Sequence, residues 1–310
     1  MHRFQAFNLD ISSELYFPEL LMCSNLSKSP DVQITFGNVS PDGLDIPLKS
    51  GAFFQANQKN FWLNVPQIAR YLVTEGERIV VDPYVNADEE SLRVFILDSC
   101  FKALLNQQNF VVLEGSAIKM GPYAILFVAP SGFGKSTLCS LFLKRGYCIL
   151  TDEICAVNTD INLLPSYPAI HLWLNISQQL GIDVAPLKTI RPRVAKYRLN
   201  WEKNIYPDPL PIKLIYILNY HKKESLVFTE IISKTKLNVL KTGSFLPPYL
   251  VIPEQIHHDL LSRLAHDVQF INLTCPRWDY TMNQVGYLFD QIFDAIEKDI
   301  MERTAYHGQH

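Results

Sequence analysis

The chain has 310 residues, about twice the usual length of one domain, so one large or two smaller folding units are expected. Its 28 Lys and Arg against 31 Asp and Glu leave a net charge of −3, which excludes a protein built mainly to coat nucleic acid or an anionic membrane. With 48% hydrophobic and 19% charged residues it is not a disordered chain, and no run approaches the roughly 18 apolar residues of a membrane span.

The opening Met1-His2-Arg3-Phe4-Gln5-Ala6-Phe7-Asn8 lacks a secretory apolar core. The cysteines Cys23, Cys100, Cys139, Cys148, Cys155 and Cys275 form no C-x-x-C pair, so neither a zinc site nor a disulfide framework is expected, and a cytoplasmic setting follows. Residues 1–82 read as strand-rich, with β-type runs at 32–36, 61–65 and 78–81 between Pro, Gly, Asn and Asp. Asp82-Pro83-Tyr84 breaks that pattern. Residues 86–107 then predict a helix, with Leu92, Phe95, Ile96, Cys100, Ala103 and Leu104 on one face and Asp88-Glu89-Glu90 at its positive end. The expected units are therefore a small N-terminal one, 1–85, and a second, 86–310.

Strands are predicted at 110–113, 123–128 and 147–150, and a helix at 135–145 stopped by Gly146. Helical patterns close the chain at 253–266 and 282–302, with loops expected at Pro247-Pro248 and Cys275-Pro276. Strand, Gly-rich turn, helix, strand is an α/β phosphate-binding order.

The turn is Ala129-Pro130-Ser131-Gly132-Phe133-Gly134-Lys135-Ser136-Thr137. It fits Gly, four residues, Gly-Lys and Ser or Thr, with Ala129 in place of the first Gly. Gly132 and Gly134 let backbone N–H groups turn inward around phosphate oxygens. Lys135 brings a point charge to the phosphates, Ser136 offers a hydroxyl to Mg²⁺, and the following helix adds its positive end. Residues Ser131, Gly132, Phe133, Gly134, Lys135, Ser136 and Thr137 are thus the expected nucleotide contacts. The pattern with Ala allowed at the first position arises by chance in roughly 2% of chains this long. The strand before it and the helix after it reduce that further. Lys135 is expected to face solvent.

Thr151-Asp152-Glu153 follows the third predicted strand, seventeen positions from Lys135 to Asp152. If that strand runs parallel to the one before the loop, its end lies beside the loop. Carboxylates there can hold Mg²⁺ and accept a proton from an attacking hydroxyl.

These residues together resemble the HPr kinase/phosphorylase family and its relatives from peptide-biosynthesis clusters. Pro165-Ser166-Tyr167-Pro168-Ala169-Ile170-His171-Leu172-Trp173 is similar to the family's Pro-Gly-Tyr-Pro…Leu-Trp stretch. Lys196-Tyr197-Arg198-Leu199, Pro209-Leu210-Pro211-Ile212 and Arg78-Ile79-Val80-Val81-Asp82-Pro83 resemble further signatures, so the similarity covers most of 75–220. It implies an α/β fold: a P-loop kinase core of the HPr kinase / PEP carboxykinase-like type behind a small strand-rich N-terminal domain. It further implies ATP and Mg²⁺ as cofactors and transfer of the γ-phosphate to a serine-type hydroxyl. In HPr kinases that serine is on a carrier protein; in the cluster-associated relatives it can be the C-terminal serine of a lasso-peptide precursor. The chain departs from the family at Glu114, where a His is usual, at Glu153 for the second Asp, and at Ser166 for Gly. The first two changes remove the groups used for the reverse, phosphorolytic reaction, so forward transfer is expected.

The expected catalytic residues are Asp152, which orients or deprotonates the acceptor, Glu114 sharing that role, Lys135, and Arg198 as a clamp on the transferred group. Ser136, Asp152 and Glu153 are the expected metal ligands. Lys188, Arg191, Arg193, Lys196 and Arg198 place five cations within eleven residues, expected to draw in an acidic acceptor or to form a solvated loop. His171 is expected to be buried and hydrogen-bonded, while Tyr167, Trp173 and Trp201 suit either core packing or a nucleobase. His257, His258 and His266 have no matching third metal ligand, and Lys234, Lys236 and Lys241 read as a charged face. The expected partners are a peptide or small-molecule hydroxyl acceptor and further copies of the chain, with no nucleic acid and no membrane. A nucleotide-binding switch or an NTPase without an acceptor would share every loop residue.

Overall fold

Alternating apolar and polar residues, broken by turn formers, build the N-terminal half. The computed structural model describes residues 1–23, 28–190, 194–200, 206–222, 225–242, 246–251, 254–276 and 282–305. Its first nine strands are β1 (His2–Ala6), β2 (Leu9–Ser13), β3 (Leu21–Met22), β4 (Val32–Phe36), β5 (Lys49–Ser50), β6 (Phe54–Ala56), β7 (Asn60–Val65), β8 (Ala69–Thr74) and β9 (Arg78–Pro83). They form one sheet in the order β3-β1-β2-β4-β9-β8-β7-β6-β5. The β2–β4 and β4–β9 pairs are parallel and the others antiparallel. β8 alternates fully and partly buried residues, as a strand with one face on the core must.

The predicted helix over 86–107 begins later and is interrupted. Asp88 caps α1 (Glu89–Phe95), accepting from the Ser91 N–H at 2.7 Å. A π turn, Ile96–Cys100, then separates it from α2 (Phe101–Gln107). The apolar face of this helix packs on the nine-stranded sheet. Phe4, Phe17 and Tyr71 share a core with Leu92, Phe101 and Leu104, and also with Val112 and Ile154 further on. One core therefore runs across residue 85.

β10 (Val111–Met120) is longer than the predicted 110–113, and β11 (Tyr123–Val128) is its antiparallel neighbour. After α3 (Lys135–Lys144) come β12 (Ile149–Thr151), β13 (Ile154–Val157) and β14 (Asn162–Leu163). A hairpin of β15 (Ala169–Trp173) and β16 (Lys196–Asn200) encloses α4 (Leu174–Gln179). The last elements are β17 (Leu210–His221), β18 (Val227–Glu230), α5 (Ser233–Thr242), α6 (Glu254–Asp267), β19 (Gln269–Pro276) and α7 (Met282–Ala305). β17 lies parallel to both β11 and β19, while pairings through β14, β13 and β10 close these strands into a ring. The result is a mixed α/β architecture with several sheets. Among the described residues no helix is long and apolar enough to cross a membrane.

Two expectations are corrected here. Cys275-Pro276 ends strand β19 rather than forming a loop: a proline is tolerated there because the last ladder position needs no further N–H donor. Lys236 is buried rather than part of a charged face, with Nζ donating to the Val268 carbonyl at 2.8 Å. Arg191, Arg193 and Trp201, and the side chains of Lys234, Lys241 and His257, lie outside the described residues.

Candidate active site

β11 delivers the chain to the loop at 129–134, and α3 carries it away. Gly132 and Gly134 have φ of 86° and 70°, the left-handed region that glycine enters at little cost, whereas Ala129 is not among the residues with positive φ. Its substitution for the usual first glycine is therefore free of backbone strain. Lys135 is buried, contrary to the solvent-facing expectation. Its Nζ folds back over the turn and donates to the Ala129 carbonyl at 2.8 Å and to the Pro130 carbonyl at 3.2 Å. Burial, only partly offset by Asp152, Glu114 and Glu153, pulls its ammonium below the ordinary lysine range. A lysine held this way can exchange weak carbonyl partners for phosphate oxygens.

β12 runs antiparallel to β10, and β10 antiparallel to β11, so β12 has the same sense as β11 with β10 between them. Its C-terminal end therefore reaches the loop edge, bringing Asp152 to Ser136. The Ser136 hydroxyl lies 2.9 and 3.0 Å from the two carboxylate oxygens. Ser116 also donates to Asp152, and the His171 backbone N–H approaches it at 3.4 Å. Asp152 is only 3% exposed. Burial, with the neighbouring Glu153 adding to it, pushes the Asp152 carboxyl above its ordinary value.

Glu153 has a φ of 71°, in the left-handed region that non-glycine residues seldom occupy. Lys196 Nζ donates to Glu153 at 2.7 Å and His171 Nδ1 lies 3.7 Å away. Burial opposes ionisation of Glu153, but the His171 imidazole and the Lys196 ammonium outweigh it and hold the carboxyl well below its usual range.

A cavity of about 690 Å³ opens over the loop. Ser131, Gly132, Gly134, Lys135, Ser136 and Thr137 line one side; Glu114, Glu153, His171 and Lys196 line another. Phe133 does not line it and packs on Tyr220, ring centroids 5.4 Å apart. Asp152 does not line it either, because its oxygens are occupied by Ser116, Ser136 and the His171 N–H. Glu114 does line it, with its side chain 28% exposed. Arg198 is likewise outside the lining: it pairs with Glu19, which Arg93 also reaches at 3.2 Å. Of the five cations expected at 188–198, Lys196 is paired with Glu153 and Arg198 with Glu19. Trp173 stands 51% exposed in the cavity wall, and Tyr167, a core residue, lines the cavity as well. His171 lines the wall with its side chain only 14% exposed and its ring bonded to Glu153, so it is hydrogen-bonded as expected though not part of the apolar core.

Sequence reasoning missed Lys102 and Glu19. Lys102 is buried on α2, its ammonium between Asp98 and Glu114; a helical Asp at i and Lys at i+4 was the available signal. Glu19 comes from the N-terminal half and had no signal in the sequence. Its second oxygen is buried with no hydrogen-bond partner among the described residues.

A hydroxyl and a carboxylate are the oxygen donors that a hard cation takes. Ser136 and Asp152 fit such an ion, and a cation beside the buried Asp152 would relieve its desolvation. Among the described residues no group of three or more His, Cys, Asp or Glu converges on a metal position.

Fold and site together define a mixed α/β protein whose glycine loop and helix start face an acid-lined cavity. No protein-family model matches the chain, and no curated protein matches it. Among solved structures, the HPr(Ser) kinase/phosphatase from Coxiella burnetii is similar at 9% identity and a TM-score of 0.28, over 64% of this chain and 99% of that one. A TM-score that low leaves function to the site's own chemistry.

Proposed function

We propose that the protein is an ATP-dependent kinase that transfers the γ-phosphate to a hydroxyl. The observation that supports this most is the Ser136–Asp152 hydrogen bond, which joins the loop helix to the acidic turn two strands away. Loop N–H groups and Lys135 would bind the triphosphate, and Ser136 and Asp152 would hold Mg²⁺, which would supply charge neutralisation at the phosphates. Glu114 takes the acceptor's proton as the acceptor oxygen forms its bond to the γ-phosphorus. The bond from that phosphorus to the bridging oxygen breaks, and its electron pair leaves with the nucleoside diphosphate. The acceptor in this reading is a serine-type hydroxyl on a peptide or small molecule; the sequence resemblance suggests the C-terminal serine of a lasso-peptide precursor. A cytoplasmic setting and self-association are part of the same proposal.

The test is incubation with γ-labelled ATP and a panel of serine peptides. Label on a peptide, lost with Lys135→Ala, supports the kinase. Label released only to water overturns it in favour of an NTPase.

A further inference from the structure

The reaction above gives no task to Trp173. Two Trp or Tyr side chains line the cavity among the described residues, and they differ. Tyr167 is buried and its hydroxyl donates to the Leu97 carbonyl at 3.3 Å, whereas half of Trp173 stands in water. An indole left this way forfeits much of the apolar burial that a folded chain normally extracts from it. Among the described residues the ring has no aromatic partner and its N–H no hydrogen-bond acceptor. The backbone beneath it is nevertheless fixed. Trp173 ends β15 opposite Lys196 of β16, and the Ile190 N–H donates to the Lys196 carbonyl at 2.9 Å, so Trp173, Lys196 and Ile190 lie in one row. The Ser177 hydroxyl donates to the Trp173 carbonyl at 3.2 Å, and the Leu174 N–H to the Ala195 carbonyl at 3.0 Å. Leu172 packs in a core with Leu138 and Phe142 of α3, which leaves its neighbours His171 and Trp173 on the other face of the strand. Ile176 and Ile190, both partly buried, line the cavity as Trp173 does. The cavity thus holds a glycine loop with Lys135 and, apart from it, an apolar patch of one indole and two isoleucines. A ligand that is anionic at one end and carries a flat ring at the other matches both.

We propose that Trp173 is the platform on which the nucleobase of the bound nucleotide stacks, with Ile176 and Ile190 as its apolar neighbours. The proposal rests on the nucleotide-binding part of the kinase reading. Trp173 lies two residues, about 7 Å, along β15 from His171. The His171 N–H in turn approaches Asp152, beside the loop, at 3.4 Å. The sugar and first phosphate of a nucleotide suit a gap of that size. An indole face stacks on any base, so the platform supplies affinity without reading the base edge.

The experiment is calorimetric titration of two ligands, MgATP and magnesium tripolyphosphate, the second being the phosphates without sugar or base. Each is added to native protein, Trp173→Ala and Trp173→Phe. MgATP should bind Trp173→Ala about tenfold more weakly or worse, the size of effect seen when one base-stacking aromatic is removed. Tripolyphosphate should bind native protein and Trp173→Ala alike, and Trp173→Phe should keep most of the MgATP affinity. A merely structural Trp173 would weaken both ligands together, because the loop grips the same phosphates in each. Indole fluorescence gives a second readout: MgATP should quench the native emission, and that quench should be absent from Trp173→Phe. Parallel losses for the two ligands, or MgATP affinity unchanged in Trp173→Ala, would overturn the proposal; in the latter case the ring is left to the acceptor. Failure of the kinase reading looks different. Native protein that binds neither ligand loses the loop assignment and this proposal with it. Native protein that binds both, shows the Trp173 difference and passes label only to water is an NTPase, and the base platform stands.

Discussion

Asp152 carries a cost that the fold tolerates for the sake of the site. Its ordinary carboxyl value is 3.8, and burial raises it in the folded protein. Stability from such a group is fully present below the unfolded value and is lost as pH rises through the folded one, so at neutral pH the ionised form is destabilising. Asp152→Asn removes that titration and can keep the Ser116 and Ser136 hydroxyls bonded. The variant should therefore melt above the native protein at neutral pH, with the gain fading below about pH 4, while phosphate transfer falls by at least about a hundredfold. Thermal melts across pH test the first part; equal melting at neutral pH would contradict it. Glu153 has the opposite sign. Its depressed value gives stability above the unfolded pKa that is lost as pH falls through the folded one, so Glu153→Gln should lower the melting temperature at neutral pH.

At the scale of elements, β10 sets the spacing of the site. Glu114 and Ser116 are two residues apart on one strand, hence on one face, and they serve the cavity and Asp152 respectively. Gly115 between them allows close packing on the other face. A Cβ there would lie 2.9 Å from Cys155 Sγ and 3.0 Å from both the Phe127 carbonyl and Val128 Cγ1. Gly115→Val should destabilise the protein by about 1–3 kcal/mol in urea titration; no change would show that β10 is looser than these contacts require. The elements that local pattern determines were legible in the sequence: β11, α3 and the loop between them follow from an apolar run, two glycines and an amphipathic stretch. Three features were not legible because they depend on distant partners. The π turn interrupts a stretch whose apolar spacing is helical throughout, and Lys102 just after it pairs with Glu114 on another element. The β15–β16 hairpin pairs segments separated by α4, so Lys196 and Arg198 read as loop cations. β17 is a central strand only because β11 and β19 flank it.

At the scale of the whole molecule, the boundary expected near residue 85 falls inside a shared core. The helix at 89–107 buries Leu92, Phe101 and Leu104 against the sheet formed by residues 1–83, and the same helix lines the cavity through Leu97, Asp98 and Lys102. Glu19 reaches the cavity from the sheet side. A fragment of residues 86–310 should therefore lose cooperative unfolding and MgATP binding together, as near-ultraviolet circular dichroism and calorimetry would show. A fragment that melts cooperatively and binds MgATP would show that the two halves fold apart.

The central claim is that the turn at 129–137 binds the triphosphate through Lys135. The direct measurement is calorimetric titration of MgATP into native protein and into Lys135→Ala. The native protein should bind one equivalent, and the variant roughly thirtyfold more weakly or worse, the loss of a buried charged contact to phosphate. Equal affinity in the two proteins, or no binding by the native one, would contradict the account.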